Sequence, residues 1–260
     1  MLNQDISVST IKAGLTTRFI GQKIIYFQRL TSTMEAARQG AWGGAKEGTV
    51  IIAGEQTAGR GRLKRAWHAP GGNIALSIIL YPEAAGLPYL VMIASLAAAC
   101  SIESVTGLNA KIKWPNDILI KEKKVAGILI ENEVKGDRVA NAIVGIGINI
   151  ALRPDDYREI SATATSLETE LGKQVSREEI IRNLLTEFER LYLELPDTEV
   201  IFKAWRDRLV TLGKQVRAHW RENIIEGIAE SVDESGALMI RLADGSLTQV
   251  VAGDVTLREN

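Results

Sequence analysis

Very short links between successive β-rich segments constrain the fold of this chain more than any other sequence feature. The links "KEKK" at 121–124 and "VKGDR" at 134–138 contain only four and five residues. Parallel neighbours in one sheet need a crossover of a dozen or more residues, whereas antiparallel neighbours can be joined by a tight turn. The sequence therefore predicts antiparallel hairpins at these two places and argues against a doubly wound parallel sheet.

Segments of β-rich and helix-like sequence alternate up to about residue 210. The β-rich runs are 49–54, 73–80, 110–114, 124–134 and 142–150. Pro88 suits the first turn of a helix that runs to about Val105. Ser176, followed three residues later by Glu179, is a capping-box signature that opens another helix. We expect an α+β fold in which a mixed, largely antiparallel sheet carries flanking helices.

The sequence changes character near Gly213, after which it reads as short strands only. These strands are 215–220, 224–232, 237–242, 247–251 and 255–258, and turns such as "DESG" and "ADGS" separate them. Short strands with such turns are typical of a small β-barrel. We therefore expect two domains, residues 1–211 and residues 212–260.

The charges of the chain nearly cancel, with 31 basic and 32 acidic residues and a formal net charge of −1. No overall field draws such a protein to nucleic acid or to an anionic membrane. Cys100 is the single cysteine, which excludes an intrachain disulfide and fits a reducing compartment. The apolar run around Cys100 is broken by Ser95 and too short to span a bilayer, and the N-terminus lacks a secretory pattern. We expect a cytoplasmic protein with no membrane partner.

The segment "EQTAGRGRLKRAW" at 55–67 concentrates basic residues and glycines between two apolar runs. Gly59 and Gly61 let the backbone approach a ligand closely, and Arg60 and Arg62 offer forked donors that match a carboxylate or a phosphate. Anion recognition is the functional interpretation of this loop. A solvated basic loop and a non-enzymatic RNA-binding module that uses the Arg-Gly run are the alternatives.

Polar groups also follow or precede other predicted elements. "TSTMEAAR" begins a helix with Ser32 as N-cap and Glu35 closing a capping box, and Lys124 directly precedes a strand. "KIKWPND" at 111–117 ends another strand. Together these groups favour a small-molecule site over a loose basic loop. The two histidines, His68 and His219, lie far apart without neighbouring metal-binding residues, so no structural zinc site is expected.

Five motifs in order give the chain its resemblance to a known family. They are "TST" at 31–33, "EQTAGRGR" with the downstream Trp67, "KWPND", "KVAGILIE" and "VGIGINI". In order and spacing they resemble the biotin protein ligase family over residues 25–150. The predicted C-terminal strands fit the SH3-like barrel of that family. The resemblance implies an enzyme that joins biotin to ATP as biotinyl-5′-AMP and then transfers biotin to one lysine of a biotin carboxyl carrier domain of a carboxylase.

The resemblance also implies roles for particular residues. The implied catalytic residues are Lys124, Arg60, Arg62 and Lys113. The implied biotin contacts are Ser32, Thr33, Met34, Gln56, Arg60, Gly61, Arg62, Lys124 and Gly127. The implied contacts of ATP or the adenylate are Arg60, Arg62, Lys113, Trp114, Asn116, Asp117, Lys124 and Asn149. Asp117 either holds Mg²⁺ or orients a lysine, and the sequence leaves both roles open.

These residue types suit the implied chemistry. Attack of a carboxylate on an α-phosphate brings two anions together, so the site must supply positive charge where they meet. The ureido ring of biotin is a neutral cyclic urea and calls for neutral partners such as Ser32, Thr33 and Gln56. Lipoate-protein ligase is the nearest alternative, but a dithiolane ring needs an apolar pocket, for which these three polar residues are unsuited.

The chain departs from the family pattern at three places. Lys64 occupies the position of a third glycine in the basic loop, and Met34 stands where asparagine is frequent. Only about 25 residues precede the first motif region, whereas some relatives carry a winged-helix DNA-binding domain there. We therefore expect the monofunctional type, with no DNA binding and no repressor role. The oligomeric state is expected to be a monomer or a homodimer.

Overall fold

The computed structural model describes residues 5–220, 223–251 and 254–257, and it contains two sheets flanked by helices. The helices are α1 Val8–Lys12, α2 Thr33–Trp42, α3 Leu90–Thr106, α4 Leu167–Leu171, α5 Arg177–Tyr192 and α6 Thr198–Arg206. The strands of the large sheet are β1 Ile24–Leu30, β2 Val50–Gln56, β3 Ile74–Leu80, β4 Lys111–Lys113, β5 Asp117–Ile120, β6 Lys123–Lys135 and β7 Arg138–Ile148. The remaining strands are β8 Gln215–Trp220, β9 Asn223–Val232, β10 Leu238–Arg241, β11 Leu247–Val250 and β12 Asp254–Leu257.

The large sheet has the strand order β1-β2-β3-β7-β6-β5-β4, and only the pair β1–β2 is parallel. The two predicted hairpins are present as β5–β6 and β6–β7. Lys121 and Glu122, at the first turn, both have positive φ, at 47° and 68°. Two central residues with positive φ match the twist of the flanking strands. The predicted α+β fold with a largely antiparallel sheet is confirmed.

Helix α3 is apolar nearly all round because it lies inside the protein. With the 3₁₀ helix Ala84–Tyr89 before it, the segment is long and apolar enough to cross a membrane, but most of its residues are buried. It packs against α5 and the large sheet, which makes it a core helix. Pro88 lies inside the 3₁₀ helix, and α3 itself begins at Leu90, so the predicted helix start is corrected by two residues.

The C-terminal strands form an antiparallel sheet in the order β11-β10-β9-β8-β12. No pairing of β11 with β12 occurs in the described part of the chain, so the structure there shows an antiparallel sheet and no closed barrel. Both edge strands are only four residues long. The predicted strand-rich C-terminal segment is otherwise as expected.

Trp114 attaches this second sheet to the first. Its backbone N–H donates to Thr211 Oγ1 at 2.9 Å, and its indole Nε1–H donates to the carbonyl of Gly236 at 2.8 Å. The side chain is 1% exposed. An indole N–H that is buried needs such a partner, so these bonds fix the C-terminal sheet against the end of β4.

Candidate active site

A cavity of about 1200 Å³ lies between the large sheet and the C-terminal strands. This exceeds the roughly 300–1,000 Å³ that is usual for the pocket of one small ligand. The lining contains six cationic side chains and three acidic ones, although the chain as a whole has a net charge of −1. The cationic residues are Arg60, Arg62, Arg65, Lys113, Lys124 and Lys214, and the acidic residues are Asp117, Glu122 and Glu159. The basic character is therefore concentrated at this cavity, as an anionic ligand requires.

One end of the cavity carries neutral polar side chains. Gln56 Oε1 accepts from the backbone N–H of Thr33 at 2.8 Å and from Thr33 Oγ1 at 3.0 Å. Ser77 Oγ in turn donates to Thr33 Oγ1 at 2.8 Å. These bonds hold the acceptor end of Gln56 in place, so that its amide N–H₂ group remains to donate to a ligand.

Ser32 occupies the N-cap position of α2, but its side chain makes no capping bond. Its Oγ is buried without a hydrogen-bond partner in the described part of the protein. The predicted capping box is wrong, because Glu35 pairs instead with Arg38 and, at 3.7 Å, with Arg60. A buried hydroxyl without a partner is costly, and at a cavity wall it is suited to bind a ligand.

Glycines in β6 and β7 make room for two large side chains that line the cavity. A Cβ at Gly147 would lie 2.3 Å from the Trp67 ring, and one at Gly127 would lie 3.1 Å from it. A Cβ at Gly145 would lie 2.5 Å from Met34 Sδ. These separations are below or at the limit of van der Waals contact. The glycines therefore let Trp67 and Met34 lie flat against the sheet.

The charged part of the cavity is organised by β5 and β6. Lys124 Nζ lies 2.5 Å from Asp117 Oδ1 and 5.5 Å from the centroid of the Trp67 ring. Arg62 Nη1 donates to Asn116 Oδ1 at 3.0 Å, and Asn116 Nδ2 donates to the Ile128 carbonyl at 2.6 Å. Lys124 and Arg62 are thus both held by short polar side chains that follow β4.

The basic loop has an unusual backbone at its tip. Leu63 and Lys64 have φ values of 53° and 61°, in the left-handed region that favours glycine. Such a conformation costs a non-glycine residue about 1 kcal/mol or more. Gly61 N–H donates to the Arg65 carbonyl at 2.8 Å across the turn, which closes it. Lys64 therefore adopts the backbone conformation that the turn requires, and its backbone is strained there.

A pair of side chains in the cavity lining, His68 and Glu159, was not predicted from the sequence. His68 Nε2 lies 2.7 Å from Glu159 Oε1, and the His68 ring contacts the Tyr157 ring with centroids 4.2 Å apart. A backbone hydrogen bond within Glu159 and the bond from His68 hold the pKa of the Glu159 carboxyl below its usual value. The segment that contains Tyr157 and Glu159 goes on to contact β6, because Lys124 N–H donates to the Thr163 carbonyl at 2.8 Å.

Thirteen of the fourteen residues predicted for the site line the cavity. They are Ser32, Thr33, Met34, Gln56, Arg60, Gly61, Arg62, Lys113, Asn116, Asp117, Lys124, Gly127 and Asn149. Trp114 does not: it is buried at the attachment of the second sheet, which corrects its predicted position beside a nucleotide. Asn149 Nδ2 donates to the Thr165 carbonyl at 3.1 Å, and this bond connects the end of β7 to the segment before α4. No group of three or more His, Cys, Asp or Glu residues that could hold a metal ion occurs in the described residues.

Comparisons with known proteins place the chain in a family. Residues 25–149 match the biotin/lipoate A/B protein ligase family, and residues 211–258 match the biotin protein ligase C-terminal domain. The bifunctional ligase/repressor BirA of Bacillus subtilis (strain 168) is 36% identical over 97% of this chain and 79% of its own length. The biotin--[acetyl-CoA-carboxylase] ligase of Paracoccus denitrificans is 39% identical over 74% of this chain and 83% of its own.

Solved structures agree with these sequence relatives. The biotin protein ligase from Aquifex aeolicus in complex with biotin and ATP superimposes with a TM-score of 0.78 at 29% identity, covering 92% of this chain and 100% of that chain. The biotin protein ligase from Leishmania major in complex with biotinyl-5-AMP gives a TM-score of 0.62 at 27% identity, covering 89% of this chain and 99% of that chain. The chain belongs to the biotin protein ligase family.

Proposed function

We propose that this cavity activates biotin with ATP and that the enzyme passes biotin on to a lysine of a carrier domain. The observation that carries the proposal is the division of one cavity into a neutral polar end and a cationic end. Ser32 and Gln56 belong to the first, and Lys124 and Arg62 to the second. Biotin has the same division, with a neutral ureido ring at one end and a carboxylate at the other.

The neutral end suits the ureido ring. Ser32 Oγ has no partner in the described protein, and the Gln56 amide N–H₂ is left to donate because Thr33 occupies its oxygen. The ring offers two N–H donors and one carbonyl acceptor. A hydroxyl can accept from an N–H, and an amide N–H₂ can donate to the carbonyl. Met34 and Trp67, lying on the glycines of β7, supply apolar surface for the bicyclic ring.

The cationic end suits the reaction. A biotin carboxylate oxygen attacks the α-phosphorus of ATP, the bond to the β-phosphate oxygen breaks, and pyrophosphate leaves. Lys124 lies where the carboxylate and the α-phosphate meet, and Arg62 lies beside it on the loop. Both cations neutralise charge that the two anions bring together and that the transition state redistributes. The carrier lysine then attacks the acyl carbon, and AMP departs.

Asp117 is assigned the role of orienting Lys124. Its carboxylate is 2.5 Å from Lys124 Nζ, which fixes the ammonium group before substrates bind. Mg²⁺ enters this proposal as the companion of the ATP phosphates, for which one or two protein ligands suffice. Asp117, one of the three acidic residues that line the cavity, is the proposed protein ligand of such an ion.

The carrier domain of a biotin-dependent carboxylase is the proposed macromolecular substrate, and the cytoplasm is the proposed compartment. A domain boundary between residues 211 and 212 is supported by the separate hydrogen-bonding of the two sheets. The absence of DNA binding and the state of monomer or homodimer stay predictions.

Exchange of labelled pyrophosphate into ATP tests the proposed activation step without any carrier. We expect exchange that depends on added biotin, because the first half-reaction is reversible when adenylate and pyrophosphate are both bound. Exchange with lipoate and none with biotin would contradict the proposal. Omission of biotin is the matched control on the same preparation.

Gly147→Ala is expected to weaken biotin binding because the new methyl group would lie 2.3 Å from the Trp67 ring. Overpacking of this kind costs about 1–2 kcal/mol, which corresponds to a loss of roughly 5- to 30-fold in affinity. Titration calorimetry with biotin measures it. Gly43→Ala is the control, because Gly43 has ordinary backbone angles, with φ −78°, and lies at the end of α2. Equal biotin affinities for the two variants would show that Trp67 does not bind biotin.

A further inference from the structure

Transfer of biotin to the carrier lysine releases a proton that needs an acceptor. The lysine attacks as a neutral amine, and its nitrogen becomes positively charged when the bond to the acyl carbon forms. Loss of one proton from that nitrogen gives the amide. Six cationic side chains already line the cavity, so a further positive charge there is unfavourable. A base in the lining that takes this proton therefore speeds the transfer.

Four side chains of the described cavity lining are possible bases, namely His68, Asp117, Glu122 and Glu159. Asp117 is paired with Lys124 Nζ at 2.5 Å, and Glu122 is exposed at the turn between β5 and β6. Carboxylates are weak bases at neutral pH, whereas an imidazole gains and loses a proton between about pH 5 and 8. The imidazole of His68 is therefore the base best matched to this step.

His68 and Glu159 form a hydrogen-bonded pair in which one imidazole nitrogen stays free. His68 Nε2 lies 2.7 Å from Glu159 Oε1, and the His68 side chain is 23% exposed. An ionised carboxylate can only accept, so Nε2 carries the hydrogen of the neutral imidazole and Nδ1 keeps its lone pair. Nδ1 has no hydrogen-bond partner in the described part of the chain. The pair thus combines a basic nitrogen with a carboxylate that stabilises the imidazolium.

The backbone on both sides of the pair is attached to the surroundings of Lys124. Trp67 directly precedes the histidine, and its ring centroid lies 5.5 Å from Lys124 Nζ. The segment that carries the glutamate is bonded to the start of β6 twice. Lys124 N–H donates to the Thr163 carbonyl at 2.8 Å, and Thr165 N–H donates to the Lys124 carbonyl at 2.9 Å. Both partners are therefore held close to the proposed place of adenylate formation.

Tyr157 fixes the orientation of the imidazole. The two rings have centroids 4.2 Å apart and an interplanar angle of 33°. Tyr157 and Glu159 are the titratable groups in contact with His68, and Lys124 and Asp117 share the cavity lining with it. Among the described residues, the Glu159 carboxylate is thus the one charged group in direct contact with the imidazole.

We propose that the His68–Glu159 pair accepts the proton of the carrier lysine in the transfer step. This inference rests on the proposed function. His68 Nδ1 takes the proton from the attacking nitrogen as the bond to the acyl carbon forms. The bond between the acyl carbon and the phosphate oxygen breaks, and AMP leaves with its electron pair. The imidazolium then returns its proton to water.

Single-turnover transfer tests this role with His68→Gln in the full chain. The reaction starts from the preformed complex of enzyme and biotinyl-adenylate and uses an isolated biotin carboxyl carrier domain as acceptor. Glutamine can still donate to Glu159, but it cannot take up a proton. We expect transfer to slow on the order of 100-fold, and this loss should greatly exceed any loss of biotin-dependent pyrophosphate exchange. His219→Gln is the matched control, because His219 is exposed on β8 outside the cavity lining.

The pH profile of the transfer rate distinguishes a base from a structural contact. A lysine amine and an imidazole are both protonated below about pH 6, and each must be neutral for transfer. The wild-type rate should therefore rise about 100-fold per pH unit in that range, and the His68→Gln rate only about 10-fold. Glu159→Gln should also slow transfer, because it removes the charge that stabilises the imidazolium, and Glu159→Asp should restore most of the rate.

Equal transfer rates in His68→Gln and His219→Gln would overturn the proposal. An equal loss of exchange and transfer in His68→Gln, or a pH profile as steep as that of the wild type, would show a structural role and would also contradict it. A wild-type enzyme without biotin-dependent exchange would contradict the proposed function itself, which separates the two failures.

Discussion

Lys124→Ala is expected to slow formation of biotinyl-adenylate on the order of 10- to 100-fold or more while the fold remains intact. The ammonium group lies 2.5 Å from Asp117, at the place where the biotin carboxylate and the α-phosphate meet in the proposed reaction. Loss of one charge-assisted hydrogen bond costs about 1.5–3 kcal/mol, and loss of transition-state neutralisation adds to it. Single-turnover quenched-flow measurement of the adenylate gives the rate.

Lys123→Ala is the control for this experiment, because Lys123 is the exposed neighbour at the start of β6. It removes the same charge one residue away, on the side of the strand that does not line the cavity. Thermal unfolding of both variants checks the fold. An adenylation rate in Lys124→Ala equal to that in Lys123→Ala would remove Lys124 from the reaction.

Arg62→Gly is expected to release the adenylate early and to slow its formation less. Arg62 reaches from the basic loop to Asn116 at 3.0 Å, which ties the loop to the end of β4. A loop that covers the product shields a reactive mixed anhydride from water. Without this tie the dissociation rate of biotinyl-adenylate should rise roughly 10- to 100-fold, since charged hydrogen bonds contribute about 1.5–3 kcal/mol. Gel filtration of the enzyme loaded with labelled adenylate measures retention.

Released adenylate should also acylate exposed lysines on bystander proteins, and streptavidin blotting detects this. Arg138→Gly is the control, because Arg138 is an exposed arginine at the β6–β7 turn. If Arg62→Gly retained the adenylate as tightly as wild type while Lys124→Ala released it, the two roles assigned here would be reversed.

Local sequence patterns predicted most of the strands and both hairpins because short links determine antiparallel pairing. They missed β1, and they implied β5 only through the hairpin at "KEKK", without marking it as a β-rich run. β5 has only four residues and begins at Asp117, the last residue of "WPND", so the motif hides its start. β1 is an edge strand with half-exposed residues, so it lacks the apolar run that marked the interior strands.

The site was predictable where a motif is contiguous and unpredictable where distant segments meet. Trp67 lies on Gly147, and His68 pairs with Glu159, across long separations in sequence. No local pattern marks such contacts, because sheet register and loop packing determine them. The capping box predicted at Ser32 is absent because Glu35 pairs with Arg38 on the same helix and with Arg60 of the basic loop instead.

Native mass spectrometry of the protein after incubation with ATP, Mg²⁺ and an equimolar mixture of biotin and lipoate identifies the acid that the cavity activates. We expect one bound species, with the added mass of biotinyl-5′-AMP, because the side chains of Ser32 and Gln56 suit a polar ureido ring and not a dithiolane. Bound lipoyl-adenylate in place of the biotinyl species, or no acyl-adenylate with either acid, would contradict it.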